Sequence, residues 1–238
     1  MKTSNQFRKY KFPGLLTGLF AAVMLVTSCS KDDNELVISG EAKVMIVNGA
    51  SGSQAQDFYL DNTKVNAEAV AYSQNTAYLT TAAGNGRKAE FKNSGSTNVN
   101  FTGYLDLAPN ENYTIFYTGK ADGSGNSSAA FKDDKSSPSP NKAKLRFVNL
   151  AEGLASANLL VTGGASFASN VAFGTASGFT EVDPGTFALQ TVLSASTSTS
   201  VNLGSFTLQA GKIYTIYTSG SLTGSAQTAI SAKMLVHN

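Results

Sequence analysis

The sequence predicts an all-β protein in which two tandem β-sandwich domains follow an N-terminal export signal. Only 14% of the residues are charged, and Val, Ile, Tyr and Phe occur in short clusters separated by turns rich in Gly, Ser, Thr and Asn. β-Branched and aromatic side chains pack well on a pleated sheet, so this composition favours strands. After the signal segment, no stretch of a dozen residues keeps a helical period, and we therefore expect no helical layer.

The chain repeats itself at a constant offset of 101 residues. Residues 42–48 (AKVMIVN) match residues 143–149 (AKLRFVN), and residues 113–115 match residues 214–216 (both YTI). Isolated residues keep the same offset: Gly84 and Gly185, Gly103 and Gly204, and Leu107 and Leu208. An offset of this size corresponds to a whole small domain rather than to a solenoid unit. We therefore expect one β-sandwich at residues 36–140 (copy one) and a second at residues 141–238 (copy two).

Short strands are expected throughout each copy. In copy one the apolar clusters and turn residues predict strands at residues 43–48, 58–61, 77–81, 89–92, 98–107, 113–118 and 129–132. The last strand of copy two is expected at residues 230–236. Alternation places Tyr113, Ile115 and Tyr117 on one face, and Tyr214 and Ile216 on the equivalent face of copy two, which we expect to be the core face. Seven or so short strands with frequent turns predict a β-sandwich of the immunoglobulin-like or prealbumin-like kind.

The segment between the two copies is predicted to be a short, stiff connector. Residues 121–141 contain the run GSG and, further on, the run SSPSP. Proline fixes φ and removes a hydrogen-bond donor, which stiffens a linker. From this connector we expect the two copies to share few contacts and to melt separately.

Cys29 is the only cysteine of the chain and ends an N-terminal export signal. Four basic residues precede an apolar run at residues 15–26, and Val26-Thr27-Ser28-Cys29 follows. The run is shorter than the roughly 20 residues of a membrane-spanning helix. This layout predicts a signal peptide at residues 1–28. The tetrapeptide resembles the lipobox of bacterial lipoproteins, and the resemblance implies that the Cys29 sulfur carries lipid, including palmitate. Plain secretion with an incidental cysteine is the alternative.

Residues 29–35 form the lipidated cysteine and an acidic tether. The run SKDDNE at residues 30–35 resembles the short Lys-acidic export tag of lipoproteins displayed on the outer face of certain Gram-negative bacteria. The resemblance implies an outer-membrane lipoprotein exposed on the cell surface, with the membrane as its partner through Cys29. The alternatives are a merely solvated charged tether and a location on the periplasmic leaflet.

Charge and cysteine content exclude several classes of protein. Residues 1–28 carry four basic residues and no acidic one, so the mature chain has 14 basic against 16 acidic residues and a net charge of −2. No patch suits a phosphate backbone, and we expect no nucleic-acid partner. With a single cysteine, each domain depends on its own core rather than on disulfides.

Several segments resemble the tandem repeats of domain-of-unknown-function family 4397. The motifs are clearest in copy two: KLRFVN at residues 144–149, NVAFG at 170–174, VDPGT at 182–186 and LQAGKIYT at 208–215. Copy one departs at Ala83-Gly84 and at Pro109-Asn110-Glu111. The resemblance covers about residues 40–238 and implies an extracytoplasmic β-sandwich of bacterial surface proteins. It brings no ligand and no catalytic residue.

Nothing in the sequence predicts a catalytic, metal or cofactor site. His237 is the only histidine, and we expect it to lie in a frayed, inert tail. A lone histidine and a lipidated cysteine cannot supply the ligands of a zinc ion. The carboxylates of copy one are expected to be solvated surface groups. They are Asp57, Asp61, Glu68, Glu90, Asp106 and Glu111.

Tyrosines are the remaining candidates for binding, since sugar-binding sandwiches use aromatic rings as stacking platforms. Copy one offers Tyr59, Tyr72, Tyr78, Tyr104 and Tyr117. Copy two has phenylalanine at the equivalents of Tyr72 and Tyr78, which favours core packing over a role for the hydroxyl groups.

We therefore predict a non-enzymatic, lipid-anchored cell-surface module for adhesion or ligand capture. The alternatives are a glycan-binding accessory lipoprotein of an outer-membrane uptake system and a structural spacer of the envelope. A contiguous strip of exposed aromatic residues would favour glycan binding, and a flat apolar patch would favour a protein partner. An evenly polar surface would favour the structural spacer.

Overall fold

The computed structural model of the chain describes residues 39–119, 124–225 and 227–237. Every regular secondary-structure element within these ranges is a β-strand, so the predicted all-β class is confirmed. The predicted signal peptide, Cys29 and the whole tether at residues 29–35 lie outside the described residues, which begin at residue 39. Within the described ranges, no helix has the length and apolar character needed to cross a membrane.

Eight strands precede the proline-containing connector and nine follow it, counted over the described residues. Copy one contains β1 (Glu41–Asn48), β2 (Gln56–Leu60), β3 (Thr63–Lys64), β4 (Leu79–Ala82), β5 (Gly84–Asn93), β6 (Val99–Leu107), β7 (Asn112–Thr118) and β8 (Ser127–Lys132). Copy two contains β9 (Ala143–Asn149), β10 (Ser156–Val161), β11 (Ser166–Ala172), β12 (Thr175–Ala176), β13 (Thr180–Val182), β14 (Gly185–Leu193), β15 (Ser196–Leu208), β16 (Ile213–Ser219) and β17 (Ser231–Val236).

Each copy is a sandwich of two sheets. In copy one the inner sheet has the order β4-β1-β7-β8 and the outer sheet the order β3-β2-β5-β6. In copy two the inner sheet has the order β12-β9-β16-β17, with β13 also pairing with β9, and the outer sheet has the order β11-β10-β14-β15. Both inner sheets contain one parallel pair, β1 with β7 and β9 with β16.

The core of each sandwich lies between its inner and outer sheets. Tyr113, Ile115 and Tyr117 are buried in the core of copy one, and Tyr214 and Ile216 in the core of copy two, as the alternation predicted. Aromatic rings interlock in the first core, where the rings of Phe91 and Tyr117 lie 5.0 Å apart. Such ring pairs stabilise a core beyond the area they bury.

Equivalent residues of the two copies make equivalent hydrogen bonds. The Tyr113 hydroxyl accepts a hydrogen bond from the Ala108 amide at 3.0 Å, and the Tyr214 hydroxyl accepts one from the Gln209 amide at 3.0 Å. The side-chain amides of Asn48 and Asn149 likewise donate to the carbonyl groups of residues 70 and 171, both at 3.1 Å. The 101-residue repeat therefore corresponds to repeated geometry.

The constant offset fails in one strand pair. Phe58 on β2 lies opposite Phe91 on β5, whereas Leu159 on β10 lies opposite Thr191 on β14. The equivalent of Phe91 by sequence would be Val192, so β14 is shifted by one residue. Bulges interrupt the register of the β5–β6 pair in copy one and of the β14–β15 pair in copy two. Because a bulge adds a residue to one strand only, it changes which residues lie opposite each other.

The expectation that the copies share few contacts is wrong. The outward faces of the two inner sheets pack on each other and form a third core from Met45, Val47, Phe116, Ala129, Phe131, Val148, Leu150, Ala176, Tyr217 and Leu235, with Tyr78 against it. The rings of Phe116 and Tyr217, which are equivalent residues, meet edge-on at 5.2 Å. The protein is thus a stack of four sheets with three apolar layers, and it does not depend on its connector to hold the copies together.

Candidate functional site

The outer sheet of copy one carries charged and aromatic side chains on its solvent side. Alternation turns Phe58 and Phe91 into the core, and therefore their neighbours on β2 and β5 point outward. We call this surface the lysine–tyrosine face. It consists of Asp57, Tyr59, Lys64, Lys88, Glu90, Lys92 and Tyr104.

Ion pairs organise the lysine–tyrosine face. The ammonium group of Lys64 lies 2.9 Å from the Asp57 carboxylate. Glu90 binds two lysines through different oxygens, Lys88 at 2.5 Å and Lys92 at 3.4 Å. Both carboxylates are buried, which corrects the expectation that they are solvated surface groups. A buried carboxylate is costly unless it is paired, so the lysines are required here.

The same contacts set the protonation states of the face. Burial alone would raise the pKa of Glu90, but the hydrogen bond and the charge of Lys88, together with Lys92, lower it below its ordinary value. Hydrogen bonds to the carboxylates of Asp57 and Glu90 raise the pKa of Lys64 and of Lys88. Glu90, Lys64 and Lys88 are therefore charged at neutral pH.

Two tyrosines flank the ion pairs. The Lys92 ammonium lies 4.3 Å from the centre of the Tyr59 ring, a cation–π contact that holds the ring in place. Tyr104 on β6 lies opposite Lys88 on β5. Both rings are half-buried, with part of their surface open to solvent. The face therefore combines aromatic surface with hydrogen-bond donors, which is the combination a polar ligand with apolar ring faces requires.

A groove of about 320 Å³ adjoins this face between the β2–β3 turn and β4. Lys64 lines both the groove and the face, and Arg87 and Asp61 form an ion pair in the wall of the groove. Thr63, Thr80 and Thr81 add hydroxyl groups. Its size falls in the range of small-ligand pockets, and its walls are polar.

Among the described residues of copy two, the outward side of β10 and β14 carries no counterpart of the lysine–tyrosine face. The outward positions of β10 and β14 are occupied by Asn158, Leu160, Ala188 and Gln190. None of these residues is charged or aromatic. The two copies share a fold, but their outer surfaces have different chemistry.

A second group of polar side chains is buried between the copies. We call it the interface cluster; it consists of Tyr78, Thr114, Asp133, Arg146, Thr215 and His237. The Arg146 guanidinium donates to the Asp133 carboxylate at 2.6 Å, across the interface, and to the Lys132 carbonyl at 3.0 Å. Its Nε donates to the Thr215 hydroxyl at 3.0 Å. The guanidinium also lies 4.5 Å from the centre of the Phe179 ring.

His237 lies within this cluster, which corrects the expectation of an inert tail. Its Nε2 is 2.7 Å from the Thr215 hydroxyl and its Nδ1 is 2.7 Å from the Tyr78 hydroxyl. Tyr78 in turn donates to Asp133 at 2.8 Å. The Tyr78 hydroxyl, which donates to Asp133, accepts from His237 Nδ1, and the Thr215 hydroxyl, which accepts from Arg146, donates to His237 Nε2. This chain of hydrogen bonds requires a neutral His237 with its proton on Nδ1.

The interface cluster is structural rather than catalytic. A hydroxyl, an imidazole and a carboxylate are linked, as in a hydrolase, yet the side chains of Asp133, Arg146 and His237 have no exposed surface. A substrate cannot reach them in this arrangement. Within the described residues, no group of three or more His, Cys, Asp or Glu side chains could hold a metal ion.

The sequence patterns assigned neither Asp133 nor Arg146 to an interface between the copies. A signal was available in the repeat, because copy one has Met45 at the equivalent of Arg146, and copy two has Met234 at the equivalent of Asp133. Of the candidate tyrosines of copy one, only Tyr117 is buried in a core, as predicted. The prediction of core packing is wrong for Tyr59 and Tyr104, which alternation turns outward, and Tyr72 reaches across the interface to within 3.2 Å of the Ser219 hydroxyl. Cys29, the predicted lipidation site, lies outside the described residues.

Acidification is expected to destabilise the protein through His237. Burial, aided by the Arg146 charge and opposed by the Asp133 carboxylate, lowers the pKa of His237 to about 4, from an unfolded value of about 6.5. The unfolded chain therefore binds the proton first, and stability present above pH 6.5 is lost as the pH falls toward 4, by about 3 kcal/mol. Urea midpoints between pH 7.5 and pH 4.5 measure this loss. His237→Gln should flatten the profile; a variant that keeps the full slope would contradict the assignment.

A family model, the Domain of unknown function (DUF4397), matches residues 42–156. No curated protein matches the chain. The carbohydrate-binding module CBMbc (family CBM26) of Eubacterium rectale Amy13K, solved with maltoheptaose, is 11% identical; the alignment covers 82% of this chain and 95% of that one, with a TM-score of 0.26. A candidate cell adhesion protein from Bacteroides uniformis is 13% identical, with coverages of 85% and 99% and a TM-score of 0.24.

These comparisons differ in what they establish. The TM-scores are too low for either structure to carry an argument about this chain. The family match, in contrast, confirms the resemblance in the sequence motifs, although it covers copy one and the beginning of copy two rather than the whole repeat. The likeness of copy two to that family rests on its motifs and on the internal repeat. Residues 42–156 are therefore similar to the DUF4397 family of domains of unknown function.

Proposed function

We propose that the protein is a non-enzymatic binding module, held in the outer membrane by lipid on Cys29 and displayed on the cell surface. It captures a ligand on the lysine–tyrosine face of copy one. Copy two and the interface cluster hold copy one in a rigid four-sheet stack.

The observation that carries the proposal is the asymmetry between the two outer sheets. Copy one has five charged and two aromatic side chains on this face, whereas the outward positions of β10 and β14 in copy two are uncharged. Burying Asp57 and Glu90 costs stability, and copy two folds without such pairs. A costly arrangement that the fold does not need is best explained by binding.

The same asymmetry argues against a structural spacer. A spacer requires only an evenly polar surface, whereas aromatic rings beside ion pairs are typical of recognition. The rings of Tyr59 and Tyr104 lie on one face, as a glycan platform requires, and this favours the uptake-system alternative over simple bridging of envelope proteins.

Replacing Tyr59 with alanine is expected to weaken ligand binding more than tenfold, because truncation of a central aromatic contact typically costs 2 kcal/mol or more. The test uses residues 30–238 on arrays of glycans and of immobilised extracellular proteins. Phe173→Ala is the matched control, since Phe173 is a 48% exposed ring of copy two. Binding that survives Tyr59→Ala, or that Phe173→Ala abolishes, would place the ligand elsewhere.

Replacing Cys29 with serine is expected to abolish lipid labelling and to release the protein from the membrane fraction, because a serine hydroxyl cannot take the place of the thiol that bears the lipid. Labelling with a fatty-acid analogue and membrane fractionation measure the two effects. Cys29→Ser protein that still incorporates label would show that the anchor is at another residue, and surface proteolysis of intact cells tests the outward display.

A further inference from the structure

The lysines, and not the carboxylates, form the solvent boundary of the lysine–tyrosine face. The side chains of Lys64 and Lys88 are 38% and 37% exposed, whereas those of Asp57 and Glu90 are 7% and 5% exposed. The negative charges therefore lie beneath the positive ones. A ligand that approaches this face meets ammonium groups and tyrosine rings first.

The charges of the face do not cancel. Three lysines lie beside two carboxylates, and the neighbouring Arg87–Asp61 pair is neutral as a unit. Its own members thus carry one excess positive charge, while Glu68, whose charge acts on Lys64, and Asp106, on the same side of β6 as Tyr104, are acidic groups at its margin. An ammonium group has three donors, and the carboxylate contacts of Lys64 and Lys88 each use one of them, so donors remain for a ligand.

We propose that the lysine–tyrosine face binds an acidic polysaccharide, whose sugars carry carboxylate or sulfate groups. The inference rests on the proposed function and adds the ligand class. The apolar side of a sugar ring packs on Tyr59, and its acidic group accepts hydrogen bonds from Lys64 or Lys88. The groove beside Lys64, with Arg87 and three threonines in its wall, extends the same chemistry along the chain of sugars.

A protein partner fits these observations less well. Lysine is depleted from the cores of protein–protein interfaces, because its strongly hydrated ammonium group is costly to bury. A polysaccharide leaves such groups partly solvated and still accepts their hydrogen bonds. Attraction between exposed charges also weakens as salt increases, which gives the proposal a measurable signature.

The test compares ligand pairs that differ only in charge. Residues 30–238 are titrated with polygalacturonate against its neutral methyl ester, and with dextran sulfate against dextran, at low and physiological salt. We expect the acidic member of at least one pair to bind about tenfold more tightly. Lys88→Gln should remove most of that preference, while Glu90 keeps Lys92 as its partner. Lys88→Arg should restore it, and Lys233→Gln, on an exposed position of copy two, should leave it unchanged.

The outcomes separate this inference from the proposed function. Equal binding of the neutral and acidic members, still sensitive to Tyr59→Ala, overturns the ligand class and leaves the binding face in place. If an immobilised protein binds, no polysaccharide does, and Tyr59→Ala abolishes the binding, the ligand class is likewise overturned and the binding face stays in place. Charge-selective binding that Lys88→Gln does not alter overturns the location of the site. If neither array nor polysaccharide binds, both proposals fail.

Discussion

Arg146→Ala is expected to destabilise the protein by about 3–5 kcal/mol, because it leaves Asp133 buried without its cationic partner. A domain of this kind has only about 5–15 kcal/mol of stability in total. The Arg146–Asp133 pair has no exposed surface and joins the two copies, so its loss should weaken the whole stack. Urea denaturation at pH 7.5 measures the effect.

Arg87→Ala is the matched control for this prediction. Arg87 also pairs with an aspartate, but the side chain of its partner Asp61 is 48% exposed, and surface pairs are worth about 0–1 kcal/mol. The double variant Arg146→Met/Asp133→Leu should lose less stability than Arg146→Met and Asp133→Leu lose in sum, since it removes both charges together. Equal, small losses for Arg146→Ala and Arg87→Ala would show that the interface cluster contributes little to stability.

Ile216→Ala is expected to cost about 2–5 kcal/mol and to lower the unfolding temperature of both copies together. Ile216 is fully buried in the core of copy two, and the next residue, Tyr217, is buried in the shared core between the copies. A cavity in β16 therefore weakens both layers that this strand separates. Scanning calorimetry, with Trp introduced separately into each copy as a local probe, follows the two halves.

Val99→Ala is the control, since Val99 is 43% exposed and should change the melting temperature little. If Ile216→Ala gives two unfolding transitions and only the transition of copy two shifts, the shared core does not couple the copies. An unchanged melting temperature for Ile216→Ala would contradict the burial of this side chain.

Local pattern was sufficient for most of the fold. The clusters that contain Tyr113 and Tyr214 alternate with period two, which places one side of each strand in a core, and the structure agrees. The repeat predicted that these two tyrosines are equivalent, and they make equivalent hydrogen bonds. These features depend on neighbours in sequence or on a comparison of two segments, and both can be read without coordinates.

Pattern could not show what covers the other side of the inner strands. β7 and β16 read as half-buried strands, yet they are buried on both faces because the copies pack on each other. The polar residues on that hidden side, such as Thr114 and Thr215, look like solvent-facing positions until the partner copy is in place.

The sequence by itself determined the strands and the duplication, and it predicts a lipid anchor at Cys29. Tertiary structure alone decided that Asp133 meets Arg146 and His237, because Asp133 belongs to copy one and the other two to copy two, and they come together only when two equivalent faces pack. It also decided the chemistry of the lysine–tyrosine face, since local pattern leaves Asp57 and Glu90 exposed, whereas in the fold lysines from adjacent positions and strands, together with Asn66 beside Asp57, contact these carboxylates. Burial and charge pairing depend on distances across strands and sheets, and a linear pattern does not contain these distances.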